Sequence, residues 1–199
     1  MRAVEFREVV RRRKMWRTYR DQPVDPTVVE RILDVARRAP SAGFSQGVAF
    51  LLLQGEEETG MFWDSVSREE HWPSEGLRRA PVLIVPLAGK DVYLNRYAEE
   101  DKGWTDRDEA RWPVPYWLVD ASFASMLILL AAVDEGLGAL FFGLEADRYV
   151  ALREAFGVPD AWTPIGVIAL GHKETDPEPS SRDTHPRKSF DDVVHRGHW

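Results

Sequence analysis

The sequence predicts a single domain, residues 1–199, that mixes helices with short buried strands. Three observations carry this. Segments with apolar residues at helical spacing alternate with short apolar runs bounded by glycine or proline. One long stretch, Leu118 to Val133, is apolar almost all round, as expected of a helix at the centre of a core. A chain of 199 residues that is 44% hydrophobic and 11% aromatic buries a sizeable core and stays within the usual size of one domain.

The elements follow in order. Phe6, Val9 and Val10 fall on one side of a helix that runs into Arg11, Arg12, Arg13 and Lys14, cations that suit a helix carboxyl end. Asp25 and Pro26 open a second helix as cap and first helical residue; Val28, Val29, Ile32, Leu33 and Ala36 keep its period and Pro40 closes it. Val48 to Leu53, between Gly47 and Gly55, predicts a strand covered on both faces, and Val82 to Val85 a second one, with a charged helix-like stretch between them. Residues 89–117 are polar and acidic yet carry Tyr93, Tyr97, Trp104, Trp112, Tyr116 and Trp117. After the apolar helix, Gly136 is a stop signal. Gly138 to Phe142 predicts a short strand, Asp147 to Phe156 an amphipathic helix stopped by Gly157, and Thr163 to Leu170 another buried strand. The last 28 residues, from His172, are polar with a terminal aromatic: a tail that is disordered or reaches another subunit.

Composition excludes several classes of function. A net charge of −7 repels nucleic acid and anionic membranes unless the basic residues gather on one face. The absence of cysteine removes disulfides, thiolate nucleophiles, iron–sulfur clusters and cysteine-based zinc sites. With neither a signal-peptide core nor an apolar run of about 18 residues, the expectation is a cytoplasmic protein without a membrane partner.

Two motifs fail on context. Gly43-Phe44-Ser45-Gln46-Gly47 matches G-x-S-x-G, but that nucleophile needs a strand before it and a helix after it, and here the order is reversed. Gly136-Leu137-Gly138 begins a dinucleotide fingerprint, lacks the third glycine and follows a helix. The five histidines show no HExxH spacing, so no metal site is expected.

Six of the ten residues from Arg11 to Arg20 are basic in an acidic chain. Such an excess is an anion site, a nucleic-acid patch or a solvated helix end. Pro40-Ser41-Ala42-Gly43 offers small residues whose backbone N–H groups can approach a phosphate or ring closely, and Arg187-Lys188 adds two cations. Three separated segments thus point to one anion, and the overall negative charge opposes nucleic acid.

These residues carry a resemblance. Arg13-Lys14-Met15-Trp16-Arg17-Thr18-Tyr19, Pro23-Val24, Ala39-Pro40-Ser41-Ala42-Gly43 with Gln46, Gly136-Leu137-Gly138 and Gly171-His172 together resemble the nitroreductase family of FMN enzymes. The resemblance covers nearly the whole chain in the right order. It implies an α+β sandwich, a mostly antiparallel sheet flanked by helices, built as an intertwined homodimer with FMN in each of two interface pockets and the tail crossing to the partner. By the same resemblance, Arg13 and Arg187 grip the FMN phosphate with Lys14 or Lys188. Arg17 lies at the pyrimidine edge, where a cation stabilises the anionic reduced flavin. Pro40, Ser41, Ala42 and Gly43 line the ribityl chain and ring, and Gln46 hydrogen-bonds in the pocket. Phe142 and Gly143 match the place where a backbone N–H meets the hydride-accepting nitrogen. The chain departs from the pattern at Met15, where a small polar residue is common, at Phe44, where asparagine is, and at Gly47-Val48, where Pro-Trp is.

The expected activity is hydride transfer from a transient NAD(P)H through tightly bound FMN to an organic acceptor such as a nitroaromatic or quinone. Dehalogenation or another specialised flavin reaction, a non-catalytic flavin store, and a deazaflavin in place of FMN stay open. The aromatic excursion at 89–117 is a substrate lid or extra core for a long loop; as a lid it makes Phe44, Tyr93, Tyr97, Trp104, Trp112 and Tyr116 candidate substrate contacts.

Overall fold

The computed structural model describes residues 5–67, 72–175 and 184–199. Its elements run α1 (Phe6–Arg12), α2 (Pro26–Ala36), β1 (Val48–Gln54), α3 (Glu56–Val66), α4 (Glu75–Arg78), β2 (Val82–Ala88), α5 (Lys90–Tyr97), α6 (Tyr116–Asp134), β3 (Gly138–Phe142), α7 (Ala146–Phe156), β4 (Thr163–Pro164) and β5 (Val167–Gly171). The main sheet order is β1-β2-β5-β3, with β4 added beside the end of β2. Every pairing between these strands is antiparallel.

Alternation along β2 explains the layers, because successive side chains of a strand point to opposite faces. Leu83, Val85 and Leu87 join Phe62 and Trp63 of α3 and Leu152 of α7 on one face. Val82 and Ile84 join Val29 and Ile32 of α2 and Ile128, Leu129 and Ala132 of α6 on the other. With both faces covered, β2 is buried along its whole length.

Four expectations need correction. β1 is an edge strand: Ala49, Leu51 and Leu53 pack on one face and Phe50 and Leu52 on the other, as expected, but only Leu53 is fully buried. The run from Thr163 to Leu170 is two strands, split at Ile165-Gly166. α2 ends at Ala36, ahead of Pro40, and Asp25 does cap it by accepting the Thr27 N–H. In α1 only Val9 is buried; Phe6 and Val10 stay exposed.

α6 is long and apolar enough by length and composition to cross a membrane, yet half of that window is buried inside the fold. Its other side leaves Phe123 and Met126 exposed, beside α1 with its exposed Phe6 and Val10. Gly136, at φ 80°, ends the helix as expected and turns the chain into β3.

Ile32 is fully buried between α2 and the sheet. Ile32→Ala is expected to lower the unfolding free energy by about 2–5 kcal/mol, read from urea denaturation.

Candidate functional site

The cationic segment is built by α1 and its exit. Glu8, one turn upstream, accepts from Arg11 at 2.6 Å and also pairs with Arg12. Those hydrogen bonds, Arg11 first, hold the Glu8 carboxyl down to about 2, so it stays ionised and pairs with both guanidiniums, offsetting one of their two charges. Two of the six cations are thereby committed within the helix. The chain beyond runs along β3: Met15 bridges Ala139, and the Trp16 N–H donates to the Ala139 carbonyl at 3.0 Å. Tyr19, fully buried, pins the segment by donating its hydroxyl to the carbonyls of Trp16 and Ala169. Arg13 is half-buried, and Lys14 and Arg17 are exposed. Arg17 reaches back to the Met15 carbonyl at 3.3 Å. The Met15 side chain is half-buried and packs against both core clusters at the edge of the sheet.

The small-residue loop is the second component. Ala42–Phe44 forms one 3₁₀ turn, with left-handed backbone at Gly43, Phe44 and Gln46. The Gln46 N–H donates to Ser41 Oγ at 3.0 Å, and Ser45 Oγ donates to the Ala42 carbonyl at 2.6 Å. Ser45 is thus buried and used locally, which agrees with turning down the nucleophile motif. Pro40, Phe44 and Gln46 face outward, with Phe44 at 74% exposure. Packing alone demands a glycine at Gly43, because a Cβ there would stand 2.6 Å from the Tyr97 ring.

Residues 89–117 form a packed unit. Trp112 stands at its centre, with ring centroids 4.5 Å from Tyr97, 5.5 Å from Trp104, 5.9 Å from Trp117 and 6.1 Å from both Tyr93 and Tyr116. Ion pairs Lys90–Glu109, Arg96–Asp101 and Arg111–Asp106 brace its surface. Tyr93 is fully buried and has no surface for a substrate, which corrects its place among the candidate contacts. Tyr116 is the most exposed member, at 42%.

At the far end of β3, Phe142 stacks on Trp63, centroids 5.9 Å apart and rings 12° from parallel, so its side chain belongs to the core. Gly143 is exposed, and nothing lies within 4 Å of the position its Cβ would take. Arg187 and Lys188 are exposed, as is every described residue from Thr184 to Trp199.

Within a single chain the cationic segment and the small-residue loop lie apart. The Arg13–Arg17 segment follows β3 at one edge of the sheet, and the Pro40–Gln46 loop feeds β1 at the other. Three strand spacings, about 14 Å, separate the edges. Met15 sits level with the start of β2 and the loop level with its end, about 20 Å further along. The two segments do not converge on one anion in one copy. The cleft at the loop, lined by Pro40, Ser41, Gln46, Val48, Phe50 and Ala124, holds about 240 Å³, below the roughly 300–1,000 Å³ of ordinary ligand pockets. A larger cleft of about 540 Å³ between α2 and α6 is walled by Glu30, Asp34, Asp134 and Glu135 against the single cation Arg31, a net negative lining unsuited to a phosphate.

Asp120 escaped the sequence reading. It is 3% exposed in α6, and one of its oxygens, Oδ2, accepts both the Ala42 N–H and the Tyr93 hydroxyl, each at 2.8 Å. Burial, and then that hydrogen bond to Asp120, push the Tyr93 hydroxyl pKa up, so the phenol keeps its proton. The signal was present: a lone acidic residue in an apolar helix must find partners.

The profile of the Nitroreductase family matches residues 10–172. Among curated proteins, one from Methanothermobacter thermautotrophicus named "Putative NADH dehydrogenase/NAD(P)H nitroreductase" is 29% identical over 96% of this chain and 86% of its own. A protein of the same name from Archaeoglobus fulgidus is 27% identical over 98% and 99%. Among solved structures, a nitroreductase family protein from Streptococcus pneumoniae superposes with a TM-score of 0.76 at 21% identity, covering 96% of this chain and all of that one.

Gly47 packs against Tyr93 in the same way as Gly43 against Tyr97: a Cβ would stand 2.4 Å from the buried ring and 3.0 Å from the Gly89 carbonyl. Gly47→Ala is expected to cost about 1–3 kcal/mol of stability, measured by thermal denaturation; an unchanged Tm would contradict this packing.

Proposed function

The chain belongs to the nitroreductase family and is an oxidoreductase, and on that premise we propose that it is an FMN-dependent enzyme passing hydride from NAD(P)H to an organic acceptor such as a nitroaromatic or quinone. A structure named an FMN-dependent nitroreductase, from Clostridium difficile, shares its fold with a TM-score of 0.69. The carrying observation is a pair of preformed half-sites, one cationic and one of small residues, at opposite corners of the sheet.

Each half-site fits a part of FMN. Arg13, Lys14 and Arg17, on a strand pinned by Tyr19, suit a phosphate and the electron-rich edge of the ring. Ser41, Ala42 and Gly43 present backbone and a hydroxyl to the ribityl chain and ring, and Gly143 leaves open space for close approach. When bound, FMN supplies the two-electron chemistry; the chain supplies orientation and charge. No side chain here is required as a general acid or base. Phe44 and Tyr116, the exposed aromatics of the loop and of the 89–117 unit, are the candidate acceptor contacts.

A second copy is what completes the site. The loop of one subunit then faces the cationic segment of its partner, and a two-fold axis makes two such sites. The exposed Phe6, Val10, Phe123 and Met126 supply an apolar surface for that contact. In the tail, Phe190, Val193 and Trp199 are exposed apolar side chains suited to lying on the neighbour, bringing Arg187 and Lys188 with them. The cytoplasm, with its reduced nicotinamides, is the compartment assigned.

Purified protein is expected to be yellow or to become so with FMN, and its flavin to be reduced by NADH or NADPH. A protein colourless after incubation with FMN contradicts the proposal. Arg13→Ala is expected to weaken FMN binding by about 1.5–3 kcal/mol, measured by fluorescence titration. Deleting residues 184–199 spares the pairing of His172 and Glu174 with Arg20 and Thr18. It is expected to lower both dimer stability and flavin retention, read by analytical ultracentrifugation and by the absorbance of the purified dimer.

A further inference from the structure

We propose that Asp120 and Tyr93 are positioning residues for the cofactor loop, which makes 89–117 a fixed buttress and not a moving lid. The inference rests on the reading that Pro40–Gln46 walls the flavin. Asp120 is the only charged residue between Leu118 and Val133, and its burial at 3% requires donors. It finds them at the loop and at α5: Oδ2 takes the Ala42 N–H and the Tyr93 hydroxyl together. The same helix grips the loop at further points. The Tyr93 ring lies against Gly47 and the Tyr97 ring against Gly43, each filling the volume a Cβ would need. Arg96 Nε donates to the Gly43 carbonyl at 3.0 Å while its other nitrogens hold Asp101.

The loop needs such a grip. Gly43, Phe44 and Gln46 have φ of 61°, 54° and 57°, a conformation that non-glycine residues adopt seldom and keep only when their surroundings impose it. Its internal bonds, Gln46 N–H to Ser41 Oγ and Ser45 Oγ to the Ala42 carbonyl, close the turn without tying it to the body. The Ala42–Asp120 bond does tie it, to the most buried helix of the fold. The loop backbone is therefore set by buried side chains of α5 and α6, Asp120 and Tyr93 foremost.

The test reads the loop directly. In the flavin-free protein, amide exchange across residues 42–47 is expected to quicken at least about tenfold in Asp120→Ala, the loss of one hydrogen bond that a buried donor needs. Strands β2 and β5 should keep their protection. Asp120→Asn, whose amide oxygen can still accept both donors, should return exchange close to wild type, and Tyr93→Phe should give a smaller rise confined to the same segment. With FMN added, Asp120→Ala should bind more weakly, with an altered visible circular dichroism of the flavin, and Asp120→Asn should restore both. If Asp120→Ala does not fold, Tyr93→Phe decides alone. Unchanged exchange at 42–47, or a rise shared equally by β2 and β5, overturns the proposal. A wild-type protein that takes up no FMN defeats both this inference and the proposed function. A wild type that binds FMN while Asp120→Ala binds it equally well defeats this inference alone.

Discussion

The width of one antiparallel sheet governs this molecule. Tyr19 and Met15 fix the cationic segment along β3, and the small-residue loop is fixed ahead of β1, with β2 and β5 between them. Strand hydrogen bonding sets that separation, and no side-chain movement can close it. On the proposed reading, a ligand needing both charge and a flat small-residue wall is held between copies. The surfaces that a single copy leaves exposed, along α1 and α6 and in the tail, are apolar where such a contact needs them to be.

The charge economy of the amino-terminal region sharpens the assignment. Six clustered cations suggest a broad basic patch, but Glu8 binds Arg11 and Arg12 through short charge-assisted bonds on the helix surface. The charge left over is small, and its scale suits one phosphate better than a polyanion. The acidic surroundings act in the same sense, since a net charge of −7 disfavours extended anionic partners.

Much of the architecture was legible because local signals agreed with global packing. Asp25-Pro26 opens α2, Gly136 ends α6 and Gly157 ends α7, each through a capping preference that acts within a few residues. Edge position was not legible: the apolar run of β1 looks as continuous as that of β2, and only the strand order separates a partly exposed edge strand from a fully buried one. The packing partner of Gly43 was hidden for the same kind of reason. A glycine in a loop signals close approach, but the sequence does not say by what, and the neighbour is Tyr97 from an element 54 residues away. Asp120 was legible in principle as a charge in an apolar helix; its partners, at Ala42 and Tyr93, were not.

The central claim, that each flavin site is shared between two copies, is tested most directly by mixing damaged chains. One chain carries Arg13→Ala with Arg17→Ala, and the other carries Gly43→Ala, whose Cβ the Tyr97 ring cannot admit without moving. Each homodimer has both sites damaged. A heterodimer purified through two different tags has one site with both faults and one with none, so it is expected to bind one FMN per dimer with wild-type affinity. A heterodimer that binds FMN no better than either parent would contradict the shared site.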